Sequence, residues 1–216
     1  MKSINWKYAL GEILIVIIGI SIAFSMNKCA EDSKNETEKQ QYLINLKNDV
    51  ASNKIQLEKN YKEIEAKFNT ANKILPILNT DSPSKMSIIG DIFSISRITN
   101  FESNDITYQT LINSGDLKLI NDFELKAAIE EHYAHYEVML KDYERQENIH
   151  KEYLGNYFIH NVDYDAFKKG RFGFQDEKLL KNIIQSMSGS FEIKMIATKK
   201  GVAMCDSLIK TLNKVQ

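Results

Sequence analysis

A chain of 216 residues with 43% hydrophobic residues, nine glycines and two prolines is long enough for one core beyond an anchor, and too poor in turn residues for a sandwich or barrel. Its formal net charge of −1 excludes the concentrated positive potential on which nucleic-acid binding rests. The two cysteines, Cys29 and Cys205, match neither a metal spacing nor a disulfide framework.

The composition predicts an all-α protein: an N-terminal transmembrane helix followed by an elongated antiparallel helical bundle. The expected divisions are a short leader over 1–7, a membrane helix over 8–28 and an extracytoplasmic helical domain over 29–216. The stretch YALGEILIVIIGISIAFSMNKC, Tyr8 to Cys29, is apolar without a break only from Ile13 to Phe24. A helix of the roughly 20 residues needed to cross ~30 Å of hydrocarbon therefore includes Glu12. One reading places this acid near the boundary, where it reaches the headgroups. The other starts from spacing: at 100° per residue Gly19 and Ala23 fall within about 20° of Glu12. Glu12, Gly19 and Ala23 then form a face for a second membrane helix, because small residues let backbones approach and the acid avoids lipid.

A cleavable signal peptide is the rival, since Ala23-Phe24-Ser25 has a small-x-small form. Lys28, directly before Cys29, argues against lipidation of that cysteine. Lys2 and Lys7 before the span are balanced by Lys28, Lys34 and Lys39 after it, so charge barely orients the segment. A short leader before a large domain resembles a signal anchor. The expected location is the inner membrane, with the domain on the periplasmic side.

Beyond the span, Leu43, Val50, Leu57, Ile64, Ala71 and Leu78 recur every seven residues, with Tyr61, Phe68 and Leu75 alongside. This predicts one long amphipathic helix, ended or kinked by Pro76 and followed by the turn NTDSPSK. MSIIGDIFSISRI suits a helix or a strand, and helix is preferred. Ser103 or Asn104 caps a helix to Ser114 with Gly115 as its stop, and Asn121 with Glu124 forms a capping box for a second long helix reaching Asn161. Its seam is Ile129, Tyr133, Tyr136, Leu140, Tyr143, Tyr153 and Tyr157. After the loop DYDAFKKGRFGFQD come two further helices, EKLLKNIIQSM and a last one whose inner face is Met195, Val202 and Ile209 with Cys205 and Leu212.

The blocks KYALGEILIVIIGISIAF, YLINLKNDV and ITYQTLINSGDLKLINDFELKAAIEEHY resemble a Bacteroidota family of single-pass membrane proteins, catalogued as a domain of unknown function (number sixty-ninety). The likeness covers nearly the whole chain, although SMNKCAEDSK stands where the family has a Trp-rich stretch. It implies an N-terminal anchor and a helical domain, with no established activity.

Chemistry-bearing residues are few. His132, His135, His150 and His160 all fall in the second long helix, where His132 and His135 share a face. A di-iron bundle needs Glu-x-x-His twice, and only Glu147 with His150 supplies it, so ordinary histidines are the better reading and neither metal nor cofactor is expected. Tyr133, Tyr136, Tyr143, Tyr153 and Tyr157 could line a ligand groove, but tyrosines at such spacing are more often core with the hydroxyl turned outward. Lys168, Lys169 and Arg171 beside Phe172 and Phe174 read as a solvated loop before a lipid contact. No phosphate loop or nucleophile constellation is present, and Cys205 belongs to an apolar seam where thiols are inert. The reading is a non-enzymatic, membrane-anchored scaffold or adaptor that self-associates through its span and the Leu43 to Leu75 helix. Its partners are the bilayer and a second copy or another membrane protein. The alternative is an extracytoplasmic small-ligand sensor working with a membrane partner.

Overall fold

The computed structural model describes residues 6–215, with side chains from Leu10 onward. Of the expected leader, residues 1–5 with Lys2 lie outside the described residues, as do the side chains of Lys7 and Tyr8. Helix α1 runs unbroken from Trp6 to Ile74, 69 residues or about 100 Å at 1.5 Å each. Three surfaces follow one another along it. From Leu10 to Met26 every large apolar side chain is exposed. The next stretch, Asn27 to Tyr42, is polar on all sides and about 24 Å long, and pairs such as Lys34 with Glu38 support it. From Leu43 the helix enters the core.

Leu43, Val50, Leu57, Ile64 and Ala71 are all fully buried, and so is Leu78 beyond the helix end. α1 stops at Ile74 because Pro76 lacks an N–H and its ring disfavours helical geometry at Leu75. This seam is buried within its own chain, so the Leu43 to Leu75 helix turns it to the bundle core. Tyr61, Phe68 and Leu75 are only half-buried. The second buried row is Leu46, Asn53, Asn60, Lys67 and Ile74, again at seven-residue steps.

A 3₁₀ turn over Pro83–Ile88 leads into α2, Ile89–Ile95, so the ambiguous MSIIGDIFSISRI stretch is helical. α3 spans Ile106–Ser114 and ends at Gly115, whose φ of +75° is left-handed. α4, Phe123–Ile149, passes through a π turn at His150–Leu154 into α5, Gly155–His160. A short α6, Tyr164–Lys168, and a lone antiparallel bridge between Val162 and Phe174 shape the loop before α7, Glu177–Leu212.

Four columns alternate in direction. α1 leads away from the apolar segment, and the column containing α2 and α3 returns, tied by Lys73 to Asp91 at the far end and by the Tyr42 hydroxyl to Asp116 at the near end. The α4–α5 column leads out again. α7 comes back, with Glu177 accepting from the Asn79 amide at the far end and Asp206 paired to Lys54 further in. The second column is helical only at its ends, and residues 96–105 carry no regular structure.

Several expected boundaries move. The α4 cap is Asp122, whose carboxylate accepts from the Glu124 and Leu125 amides, so Asn121 lies one residue outside. α3 starts after Asp105, because Asn104 is bound to α1 instead. The two C-terminal helices are one: Gly189 costs a helix about 1 kcal/mol relative to Ala, and Met187 and Phe191 on either side are fully buried and hold the helix together. The inner face of α7 is Met187, Phe191, Lys194, Thr198, Gly201, Cys205, Leu208 and Leu212, while Met195, Val202 and Ile209 only flank it. At Gly201 a Cβ would lie 2.9 Å from Met139 Sδ and 3.2 Å from Leu57 Cδ1, so a side chain there would push these ends aside where α1, α4 and α7 converge.

Candidate functional site

Backbone without helix or strand partners must find side chains when it is buried. Residues Arg97 to Asp105 form such a strap, and α1 supplies its partners at heptad steps. Asn53 donates to the Asn104 carbonyl and accepts from the Asn104 amide, Asn60 donates to the Asn100 carbonyl, and Lys67 donates to the Arg97 carbonyl at 2.8 Å. Gln146 on α4 also donates to the Arg97 carbonyl. Lys194 on α7 donates to the Thr99 carbonyl at 2.6 Å and to Gln146 Oε1 at 2.7 Å. Three helices thus hold one extended segment through polar side chains.

Lys194 is 0% exposed, with its ammonium 4.2 Å from the centroid of the Tyr143 ring. Burial is the main reason that its amine is held down to about 7; Lys67 adds to the effect, and Glu63 and Glu147 oppose it. Glu63 closes the network, accepting from Lys67 at 2.7 Å and from the Thr99 hydroxyl at 2.6 Å. Burial pushes the Glu63 carboxyl up, but those two donors outweigh it and the net direction is down. The arrangement clamps a backbone. A wholly buried amine with both acceptors satisfied is not presented to a substrate.

The aromatic seam of α4 lies beside the strap. Tyr133, Tyr136, Tyr143 and Tyr157 are buried, whereas Tyr153 is 56% exposed because the π turn shifts the helix phase. Their hydroxyls turn inward, against expectation, and most find partners. Tyr136 meets His132 Nε2 at 2.9 Å and Cys205 Sγ at 3.3 Å, Tyr143 meets Thr198 at 2.8 Å, and Tyr157 donates to the Gln175 carbonyl. The Tyr133 hydroxyl has no partner, and its ring stacks on Tyr108 at 4.2 Å and 8°. Burial pushes the Tyr133 phenol up, with Asp49 and Asp105 adding to it.

His132 is buried, and burial holds its imidazole down to about 4, with His135 contributing. Among the described residues no group of three or more His, Cys, Asp or Glu is set to hold a metal ion. Cys205 is buried and its thiol pushed up by burial, while Cys29 is exposed. Glu12, Gly19 and Ala23 lie exposed on the apolar part of α1, and a Cβ on Gly19 would meet nothing within 4 Å. Phe174 is buried and Phe172 half-buried beneath Lys85, so the Lys168 to Phe174 loop keeps its rings for its own core. That loop sits at the far end of the bundle, about 70 Å along α1 from Met26.

The strap residues escaped a search for apolar periodicity because Asn53, Asn60 and Lys67 are polar. Their signal was present nonetheless: they stand between Leu46 and Ile74 in the same seven-residue register.

These features define a class: an all-α bundle carried on one N-terminal helix that is long and apolar enough to cross a membrane. The model of the family of unknown function DUF6090 matches residues 12–158, and the chain belongs to that family. The match takes in the apolar segment, the strap and α4, and ends in α5, so Lys194 on α7 lies beyond it. No curated protein and no solved structure matches the chain. Neither the family description nor the architecture gives a sign of enzymatic activity.

Proposed function

We propose that this chain is an uncleaved, single-pass membrane protein that displays its bundle on the periplasmic side of the inner membrane and acts as a self-associating scaffold or adaptor. The observation carrying this reading is the continuity of α1: one helix joins an exposed apolar segment to the core of the bundle. From Trp6 to Met26 it measures about 32 Å, close to the ~30 Å hydrocarbon thickness. The helix also runs through Ala23-Phe24-Ser25 without a break, which favours an anchor over a cleaved signal. The Bacteroidota single-pass proteins that the sequence resembles point the same way.

Orientation is tested by thiol labelling. An impermeant maleimide applied to cells with a permeabilised outer membrane labels exposed Cys29, while buried Cys205 resists until denaturation. Labelling of Cys29 only after the inner membrane is lysed places the bundle in the cytoplasm instead.

Self-association is assigned to Glu12, Gly19 and Ala23, since the bundle seam is occupied. Gly19→Ile separates the two helices by bulk and lowers in-membrane crosslinking most. Glu12→Leu has a smaller effect, and Glu12→Gln the smallest, because an amide still hydrogen-bonds and such bonds average about 0.6 kcal/mol in membranes. Undiminished crosslinking of Gly19→Ile at matched expression excludes this face.

A further inference from the structure

Helix α1 is one straight element, so its sides can be followed from the apolar segment into the bundle. At about 100° per residue, Ala30, Thr37, Gln41, Ile44, Asn48 and Ile55 fall within about 40° of the direction that Glu12, Gly19 and Ala23 share. The buried seam of Leu43, Val50, Leu57 and Ile64 lies about 140–180° away, on the other side of the helix. All six of the outward residues are exposed, and two of them are large and apolar: Ile44 at 44% and Ile55 at 68%. Charge avoids the same direction. From Gly19 to Ile55 the chain carries five lysines and five Asp or Glu, and only Lys34 comes within about 60° of it. The polar stretch also lacks support of its own. From Asn27 to Glu38 every side chain but Asn35 is exposed, and Asn27, Cys29, Asp32, Ser33, Asn35 and Thr37 are poor helix formers. Helices of such composition owe their stability to a covered side more than to propensity.

We propose that a second copy of this chain packs in parallel along this outer side of α1, from the membrane segment through the polar stretch to Ile55, a contact about 54 Å long. The two α1 helices then form a paired stalk, and the bundles stand on its outer flanks. The anchor is what selects a second copy as the occupant. Two copies held in one bilayer are parallel and at the same height, so each residue of the line meets its own counterpart about a two-fold axis. A neutral line suits such a meeting, whereas a charge on it would face its like. The flanking charges cancel, five against five, so the two stalks carry no net repulsion between Gly19 and Ile55. Ile44 and Ile55 supply apolar area to bury, and Ala30 and Thr37 are small enough to let the backbones stay close. This inference rests on the self-association reading of Glu12, Gly19 and Ala23, and carries that contact beyond the bilayer.

The test is disulfide crosslinking of the full chain in native membranes, in a Cys29→Ser background with copper phenanthroline as oxidant. Ala23→Cys reports the membrane face, Thr37→Cys and Asn48→Cys report the stalk, and Asp32→Cys, exposed about 160° from the line, is the control. A disulfide needs the two Cα atoms within about 7 Å, so the stalk positions give at least about tenfold more crosslinked dimer than the control. Ile44→Glu combined with Ile55→Glu sets like charges against each other and lowers the Thr37→Cys product about tenfold. Both isoleucines are exposed in a single copy, so the melting temperature of the bundle in detergent stays within a few degrees of the parent's. Crosslinking at Ala23 with Thr37 and Asn48 at the control level overturns the stalk and leaves the membrane face standing. Crosslinking at Thr37 and Asn48 without Ala23 supports the stalk and removes the membrane face, and failure at all three removes both. An undiminished Thr37→Cys product in the folded double glutamate variant also overturns the proposal.

Discussion

Replacing Lys194 by alanine lowers the unfolding free energy by about 4 kcal/mol near pH 7, a cavity and two orphaned acceptors acting together. The side chain is fully buried, and its ammonium serves the Thr99 carbonyl and Gln146 Oε1. Among the described residues neither acceptor takes a hydrogen bond from any other donor. Lys194→Met fills most of the volume and leaves only the orphaned acceptors, so it costs about half as much. Urea unfolding at matched pH measures both, and a Lys194→Ala variant as stable as the parent removes the clamp from the account.

The pH dependence separates the amine from its packing. In the fold the amine sits at about 7 against 10.5 for a free lysine, so between those values the unfolded chain binds more protons and stability rises with pH. From pH 7 to 9 the parent gains about 2 kcal/mol that Lys194→Met does not. The charged or titratable groups around the amine are Lys67 and Glu63 on α1, and Tyr143 and Glu147 on α4. The Cys205 thiol and the buried tyrosines are pushed up from 9.0 and 10.0, so they act in the opposite sense only at the top of this range and beyond. Parallel curves for parent and methionine variant exclude the titration.

Apolar periodicity made the outer frame of the bundle legible. Leu43 to Leu78 is buried at every seventh residue because hydrophobic burial drives that seam, and the pattern needs nothing else to be seen. The strap was hidden for the complementary reason. Asn53, Asn60 and Lys67 sit where a heptad reader expects Leu, and their role depends on a segment 30 to 51 residues later that brings unpaired backbone to them. The same blindness misplaced the inner face of α7, whose buried row includes Lys194, Thr198 and Gly201, while Met195, Val202 and Ile209 are apolar but peripheral. Tyr153 failed differently. It continues the tyrosine spacing in sequence, but a π turn adds a residue and rotates it to the surface, a local event with no compositional mark. The expected separation of EKLLKNIIQSM from the last helix is absent because buried packing on both sides of Gly189 overrides the low helix propensity of glycine.

Acid unfolding has its own sensor in His132. The imidazole lies among Tyr133, Tyr136 and the α7 backbone, 1% exposed, and burial with the neighbouring His135 holds it at about 4 instead of 6.5. A depressed base contributes stability that is complete above pH 6.5 and is lost as the pH falls toward 4, because the unfolded chain takes up the proton first. The full loss is about 3 kcal/mol, a large share of the 5–15 kcal/mol typical of a domain. His135, also lowered chiefly by burial, adds in the same direction, with Lys200 lowering it further and Glu131 opposing. His132→Gln retains a polar partner for the Tyr136 hydroxyl and cannot titrate. The parent therefore loses about 3 kcal/mol relative to this variant as the pH falls from 6.5 to 4, whatever their difference at pH 7. Chemical denaturation at half-unit steps resolves that loss. A constant separation across the window shows that His132 takes up its proton in the folded state as readily as in the unfolded one, and the acid sensor must then be sought at His135.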